Sequence, residues 1–402
     1  MGGTPGITVR TRSDLPDLSW ADEQRELTDA SPFLGPVWLQ AQQKAAPDLV
    51  PFHTLATRGT GEVALLPGYL VDGPRDADLD PRSYLGHDAD VFPALVLGSP
   101  GAYRSEVAFN FWTPTLAQTM MDAVIAEARA AGARVVVAPW IADRPGNDAL
   151  TASLASHGAG SAFWAVEDFV ALNRAGWDGH LAALSKKTRY RLREDEARAG
   201  DLGVEIRRLD GEEIRPHLTR IAELVNLTQD RHDTPASRVD VLLHGLVESG
   251  VSVRAYVGER DGLLVSASVA VRKGRRLHVK WSGTDEAAMG ELSGVYFPVT
   301  FVSAIKDGYT EGLRVVEFGA GSHRAKALRG SRSREVTSSL LVLDEALRQE
   351  AMGWLHQTGE ARRRIYEASH PAPETDAPEV ATSSRTLPLF AAESSGGCCS
   401  NG

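Results

Sequence analysis

The stretches "ARVVVAPWI", Ala133 to Ile141, and "LRVVEFGAG", Leu313 to Gly321, decide the fold. The first is a short, Val-rich apolar run, the pattern of a buried strand, and the second reads as the equivalent strand. Each follows a helical stretch, "TLAQTMMDAVIAEARAAG" before the first and "GVYFPVTFVSAIKDGY" before the second. Further upstream the same order appears twice. Before the first lie "ITVRT", two helical stretches ("WADEQRELTD" and "PVWLQAQQKAA") and three strand-like runs, "PFHTLATR", "GEVALLPGYLV" and "VFPALVLG". Before the second lie "VEIRRL", two helices ("HLTRIAELVNLTQDRH" and "RVDVLLHGLVES") and three strands, "VSVRAYVGER", "LLVSASVAVRK" and "RRLHVKWSG". The first two of these strands are joined through "DG", a hairpin signal. A helix near 146–157 and the strand "AFWAVEDFVAL" close the first unit; "REVTSSLLVL" and a helix over 344–369 close the second.

Two consecutive β-α-α-β-β-β-α-β units predict an α/β fold of tandem halves, each a mixed sheet flanked by helices. The expected organisation is an N-terminal half over 1–172, a basic linking helix over 173–200 and a C-terminal half over 201–369. A disordered tail over 370–402, rich in Pro, Ser, Ala and Gly, would follow. The 402 residues are too many for one ordinary core, which agrees with two halves. The only cysteines, Cys398 and Cys399, lie in that tail, so no disulfide framework holds the folded part and a cytoplasmic location is expected. Adjacent thiols flanked by "SSGG" and "SNG" suit a tail that is itself modified or recognised. No apolar run reaches the roughly 18 to 20 residues of a membrane span, and the first residues lack the apolar core of a signal peptide. A formal net charge of -10 argues against a general nucleic-acid binder, so any anion site must be local.

One segment opposes that charge. Between Lys186 and Arg193 stand five cations: Lys186, Lys187, Arg189, Arg191 and Arg193. At 100° per residue, Trp177, Leu181, Leu184, Thr188 and Leu192 share an arc of about 80°, a core-facing stripe on one helix over 177–199. Lys186, Arg189, Tyr190 and Arg193 fall on the opposite arc. Like charges at i,i+3 and i,i+4 repel by a few tenths of a kcal/mol per pair. A bound phosphate-bearing substrate would relieve them, and a solvated surface is the alternative.

The segment Trp177 to Arg193, "WDGHLAALSKKTRYRLR", resembles the W-x-x-x-L-x-x-L-x-x-K-x-R-x-x-x-R helix of FemABX-like and related acyltransferases of the GNAT superfamily. "VVEFGAGSHRAKALRGS", Val315 to Ser331, resembles the same families' strand–G-x-G-x-x-x-x-K–Gly segment, with Lys326 on the motif Lys and Gly330 on the final Gly. "SPFL", Ser31 to Leu34, is similar to predicted peptidoglycan-related N-acyltransferases. The resemblance covers about 170 to 345 and implies a transferase joining an activated acyl or aminoacyl group to an amine. It departs from the family at Glu317, where an Asp is usual, and at Leu328-Arg329, where an aromatic is common. The coenzyme A loop, R/Q-x-x-G-x-G/A, is missing from "SGTDEAAMGELSGVYF". A donor pyrophosphate would then meet amides around Leu292, Ser293, Gly294 and Val295. Acyl-coenzyme A, a carrier-bound acyl group and aminoacyl-tRNA stay open as co-substrates. The acceptor is an amine-bearing peptide or small molecule, and no tightly bound cofactor is expected.

Acyl transfer needs both substrates held together, a proton acceptor and a donor for the oxyanion. Lys326, His323 and Glu317 are the candidate catalytic residues, with the Lys role implied by the resemblance. Arg324 and Arg329 are candidate anion clamps. In "RRLHVKW", Arg276, His278 and Lys280 alternate onto one strand face and Leu277, Val279 and Trp281 onto the other. His278, Lys280 and Trp281, with Tyr296 on the following helix, join Lys186, Arg189, Tyr190 and Arg193 as candidate substrate contacts. No P-loop, nucleophile elbow or H-E-x-x-H zinc helix occurs, and no metal site is expected. Two further readings stay open: a catalytically silent fold that binds a phosphate-bearing ligand, and a protein that uses the basic helix on tRNA.

Overall fold

Both signature runs are strands, and both lie in the same sheet. The structure is a computed structural model that describes residues 7–12, 31–59, 61–75, 79–109, 112–144, 147–231, 239–248, 251–289 and 294–369. The helix expected at "WADEQRELTD", the residues Leu292 and Ser293, and the tail with Cys398 and Cys399 lie outside the described residues.

The first half runs β1 (Ile7–Arg12), α1 (Pro36–Ala45), β2 (Val50–Pro51), β3 (His53–Arg58), β4 (Gly61–Leu66) and β5 (Gly68–Val71). It continues through α2 (Pro81–Leu85), β6 (Ala94–Leu97), β7 (Ala108–Phe109), α3 (Pro114–Ala130), β8 (Val135–Ala142), α4 (Asn147–Ser156) and β9 (Gly160–Ala171). Two helices, α5 (Gly176–Ala183) and α6 (Lys186–Asp201), lead to the second half. That half runs β10 (Glu205–Asp210), α7 (Leu218–Arg231), α8 (Val239–Glu248), β11 (Val253–Arg260), β12 (Leu263–Lys273) and β13 (Arg276–Thr284). It ends with α9 (Glu286–Met289), α10 (Ser303–Thr310), β14 (Val315–Gly319), α11 (His323–Ala327), β15 (Arg332–Val342) and α12 (Arg348–Ser369).

Among the described residues the strands form a four-stranded sheet, β1-β3-β4-β7, and an eleven-stranded sheet, β10-β11-β12-β13-β14-β9-β15-β8-β6-β5-β2. Each half supplies one parallel pair, β6 with β8 and β13 with β14. The last strand of each half then crosses over. β9 pairs with β14 and β15 of the second half, and β15 pairs with β8 of the first. The antiparallel β9–β15 pair is therefore the seam.

Both faces of this sheet are covered. β8 sends Val136 and Ala138 to one apolar cluster and Val135 and Val137 to another. β11 likewise sends Val253, Ala255 and Val257 to one side and Tyr256 to the other. That double burial is why these runs show no polar alternation. Between the halves, α1 packs against α8, where a Cβ at Gly245 would stand 2.7 Å from the Ala41 Cβ. No helix among the described residues is long and apolar enough to cross a membrane.

Three expected elements change form. "GEVALLPGYLV" is two strands: Pro67 has no N–H for a ladder, and the chain passes there from the small sheet (β4) to the large one (β5). The helix before β14 contains a π-helical turn, Pro298–Val302, ahead of α10. The single helix expected over 177–199 is broken. Leu184 is extended (φ -85, ψ 158), and Ser185 caps α6 by accepting the Thr188 N–H at 3.2 Å.

Candidate functional site

β14 ends at Gly319, and the chain turns sharply through Gly319, Gly321 and Ser322, all in left-handed backbone conformations (φ 62, 81 and 50). Lys326 on α11 reaches back under this turn. Its Nζ donates to the carbonyls of Phe318 (2.9 Å), Gly319 (2.9 Å) and Ala320 (3.1 Å) and lies 3.6 Å from the Asp168 carboxylate. Burial pulls the ammonium down to about 8, although Asp168 works in the opposite direction. Lys326 thus holds the loop's backbone, and it is not among the residues lining the adjacent cavity. His323 Nε2 accepts the Gly321 N–H at 3.3 Å, which leaves Nδ1 as the donor to Asp168 at 2.7 Å. Ser333 donates to the other Asp168 oxygen at 2.7 Å. Both expected catalytic groups of this loop anchor it across the seam to β9.

Beside the anchor lies a buried ion cluster. Glu317 on β14 is gripped by Arg276 (2.7 Å), Arg144 (3.2 Å) and Arg334. Glu167 on β9 is gripped by Arg144 (3.3 Å), Arg334 (3.1 Å) and Arg104. Glu106 stands 3.8 Å from Arg104 and 3.7 Å from Arg144. Burial pushes Glu317 and Glu167 toward neutrality. The guanidiniums outweigh it and hold each carboxyl at about 2, Arg144 first for Glu317 and Arg104 first for Glu167. Glu317 is therefore a fixed charge rather than a proton acceptor near neutral pH.

This cluster floors a cavity of about 710 Å³ at the seam. Its walls are Phe33, Tyr84, Tyr103, Trp140 and Trp164, with Arg362 of α12 on one side and Phe318 to Gly321 on the other. Tyr103 and Trp140 hold left-handed backbone conformations (φ 56 and 60), a strain that bulky residues seldom bear without a reason. His278 reaches the cavity from β13. It is 1% exposed, and neither ring nitrogen has a hydrogen-bond partner among the described residues. Burial, then the charges of Arg144, Arg104, Arg276 and Lys273, push its pKa well below the ordinary value, so the imidazole is neutral.

The expected alternation along β13 fails one residue later. A bulge places Trp281 opposite Val269 and Val279 opposite Ala270, so Lys280 is the extra residue. Trp281 consequently packs 5.9 Å from Trp38, in the cluster that also holds Phe33, away from Leu277 and Val279. The Lys280 ammonium sits 4.3 Å from the Tyr103 ring and within 5.8 Å of Phe33, Trp38 and Trp281. It is a cation among aromatic faces.

The other expected contacts lie elsewhere. Lys186, Tyr190, Arg193 and Arg324 are exposed. Arg189 donates to the carbonyls of Leu181, Ala182 and Leu184, closing the end of α5. Arg329 holds Asp195 in a bidentate pair (2.6 and 2.9 Å) and stacks 3.2 Å from the Phe297 ring. These cations do not converge with Lys326 on one pocket. Tyr296 is half-buried against Phe297, not on the cavity wall. At Gly294 and Val295, where a donor site is expected, the Arg198 side chain is 2.2 Å from where a Gly294 Cβ would lie, and Val295 is core.

Among the cavity residues that sequence reading passed over are Arg104, Trp140, Trp164, Glu167 and Arg362. One signal was present. "AFWAVEDFVAL" carries two adjacent acids inside an apolar strand, and buried acids require partners.

The FemAB-like family model, described as peptidoglycan biosynthesis/recognition, matches residues 108–373. A crystal structure of FemX is 10% identical, with a TM-score of 0.60 over 84% of this chain and 99% of that one. A conserved protein of unknown function from Bacteroides thetaiotaomicron is 11% identical, with a TM-score of 0.53 over 83% and 100%. A tandem GNAT protein from the clavulanic acid biosynthesis pathway is 13% identical, with a TM-score of 0.47 over 83% and 98%. A search of curated protein sequences found no match. FemX shares the fold over 84% of the chain, and with the family model matching residues 108–373, more than half of the chain, this chain belongs to the FemAB-like family.

Proposed function

We propose that the protein is an N-acyltransferase that moves an acyl or aminoacyl group from an activated donor to an amine, forming an amide, in the seam cavity. The observation that carries this reading is His278, a buried neutral imidazole with both nitrogens unclaimed, facing a cavity of about 710 Å³. Such a ring offers one acceptor and one N–H donor. The amine nitrogen attacks the acyl carbonyl, the new C–N bond forms, and the bond from that carbon to the donor's sulfur or oxygen breaks. The acceptor nitrogen of His278 takes the amine's proton as the C–N bond forms, and the proton then passes to the leaving group. Aromatic walls exclude water, which would otherwise compete with the amine. Gly319 and Gly321 let a substrate approach the loop backbone without side-chain bulk.

The family's description supports an amine-bearing peptide as acceptor. Acyl-coenzyme A and aminoacyl-tRNA are the donors to compare, and a carrier-bound acyl group is the third. The test incubates the full chain with acyl-coenzyme A panels or charged tRNA and a set of amines, reading thiol release, deacylation and amide products by mass. H278N is expected to lower turnover by about a hundredfold, the scale of one acid–base group. Ligand binding without transfer from any donor would instead identify a catalytically silent binding protein.

A further inference from the structure

The unclaimed polar groups around the cavity are mostly donors. Trp140 Nε1, Trp164 Nε1 and Arg104 Nε are buried without hydrogen-bond partners among the described residues. The acids on the wall, Glu167 and Glu317, are already engaged by guanidiniums. Arg362 is half-buried and makes no ion pair with any described residue. Its guanidinium carbon sits over the Trp164 ring, 3.3 Å from the centroid. Orphaned donors beside a guanidinium that has no ion pair among the described residues call for an acceptor-only anion.

We propose that the cavity binds a carboxylate of the acceptor, clamped by Arg362 at the Trp164 wall, so that the acceptor is an amino acid or a peptide with a free carboxylate. A planar carboxylate matches the fork of a stacked guanidinium. The flanking walls are aromatic and one guanidinium carries the clamp, which suits a single negative charge better than a phosphate dianion. Only the word "acceptor" rests on the transferase reading; the carboxylate site stands on the donors themselves.

The test is calorimetric titration of the full chain with alanyl-alanine, its C-terminal amide and inorganic phosphate. The dipeptide acid is expected to bind at least tenfold more tightly than the amide and more tightly than phosphate, and R362Q is expected to erase the acid-over-amide preference. No binding of the acid, equal binding of acid and amide, tighter binding of phosphate, or a preference that survives in folded R362Q would overturn the proposal. The wild-type comparison decides it even where R362Q fails to fold. Acid-selective binding with no transfer from any donor would leave this site standing and remove the transferase reading. Transfer to amines without acid selectivity would do the reverse.

Discussion

Lys326 turns its ammonium to three backbone carbonyls, and that geometry has an energetic consequence. Charge-assisted hydrogen bonds from a buried group, once one partner is removed, leave acceptors without water or donor. K326M is therefore expected to destabilise the protein by about 2 to 4 kcal/mol in urea denaturation. Unchanged stability with lost turnover would instead place the ammonium in the chemistry. The motif Lys was legible in the sequence; its direction was not, because the carbonyls it meets come from the turn set by Gly319 and Gly321. His278 makes a second expectation. Its folded pKa is depressed below the ordinary value of 6.5, so as pH falls below 6.5 the unfolded chain takes up a proton that the folded chain refuses. Stability then falls by up to about 1.4 kcal/mol per pH unit from this group. Glu317 and Glu167, also depressed, contribute stability above about 4.5 that is lost only as pH falls toward 2. Between pH 6.5 and 5 the loss belongs to histidine rather than to these acids, and H278Q should flatten the denaturation slope there.

At the scale of elements, the break between α5 and α6 shows what periodicity reads and what it omits. The 3.6-residue stripe through Trp177, Leu181, Leu184 and Leu192 was legible, and these residues do belong to or pack against one apolar cluster. The break was not, because a stripe continues across a kink while capping depends on one hydroxyl. S185A removes the acceptor for the Thr188 N–H and is expected to cost about 1 kcal/mol, read by chemical denaturation. Its effect on α6 helicity should be restored by S185D, which caps equally well. Strand positions were readable throughout the second half for the same reason, since β12 coincides with "LLVSASVAVRK". The bulge at Lys280 and the division at Pro67 were not, because each is set by the neighbouring strand's register or by the choice between two sheets. The cavity was harder still to see. It draws His278 from β13, Trp140 from β8, Trp164 and Glu167 from β9 and Arg362 from α12, residues that only the seam brings together.

For the whole molecule, the decisive feature is that each half lends its final strand to the other. β9 lies between β14 and β15, and β15 lies between β9 and β8. A fragment ending at 172 would keep β9 but lose both of its partners, exposing two unpaired edges flanked by apolar faces. A fragment over 201–369 would lack β9 as the bridge between β14 and β15, and with it Glu167 and Asp168, leaving Lys326 without its buried counter-charge, His323 without its acceptor and Arg334 with Glu317 alone. An unpaired buried charge is strongly destabilising, at about 3 to 5 kcal/mol each, which is comparable to the whole stability of a small domain. The two repeats legible in sequence should therefore not fold as separate domains. Residues 1–172 and 201–369, expressed apart, are expected to give no cooperative thermal transition, and the intact chain is expected to unfold in one transition seen alike by tryptophan fluorescence and circular dichroism. Two separated transitions, or a folded isolated half, would mean that the seam is a docking contact instead of a shared core. In that case the cavity would open between independent bodies, and substrate binding, rather than folding, would have to assemble it.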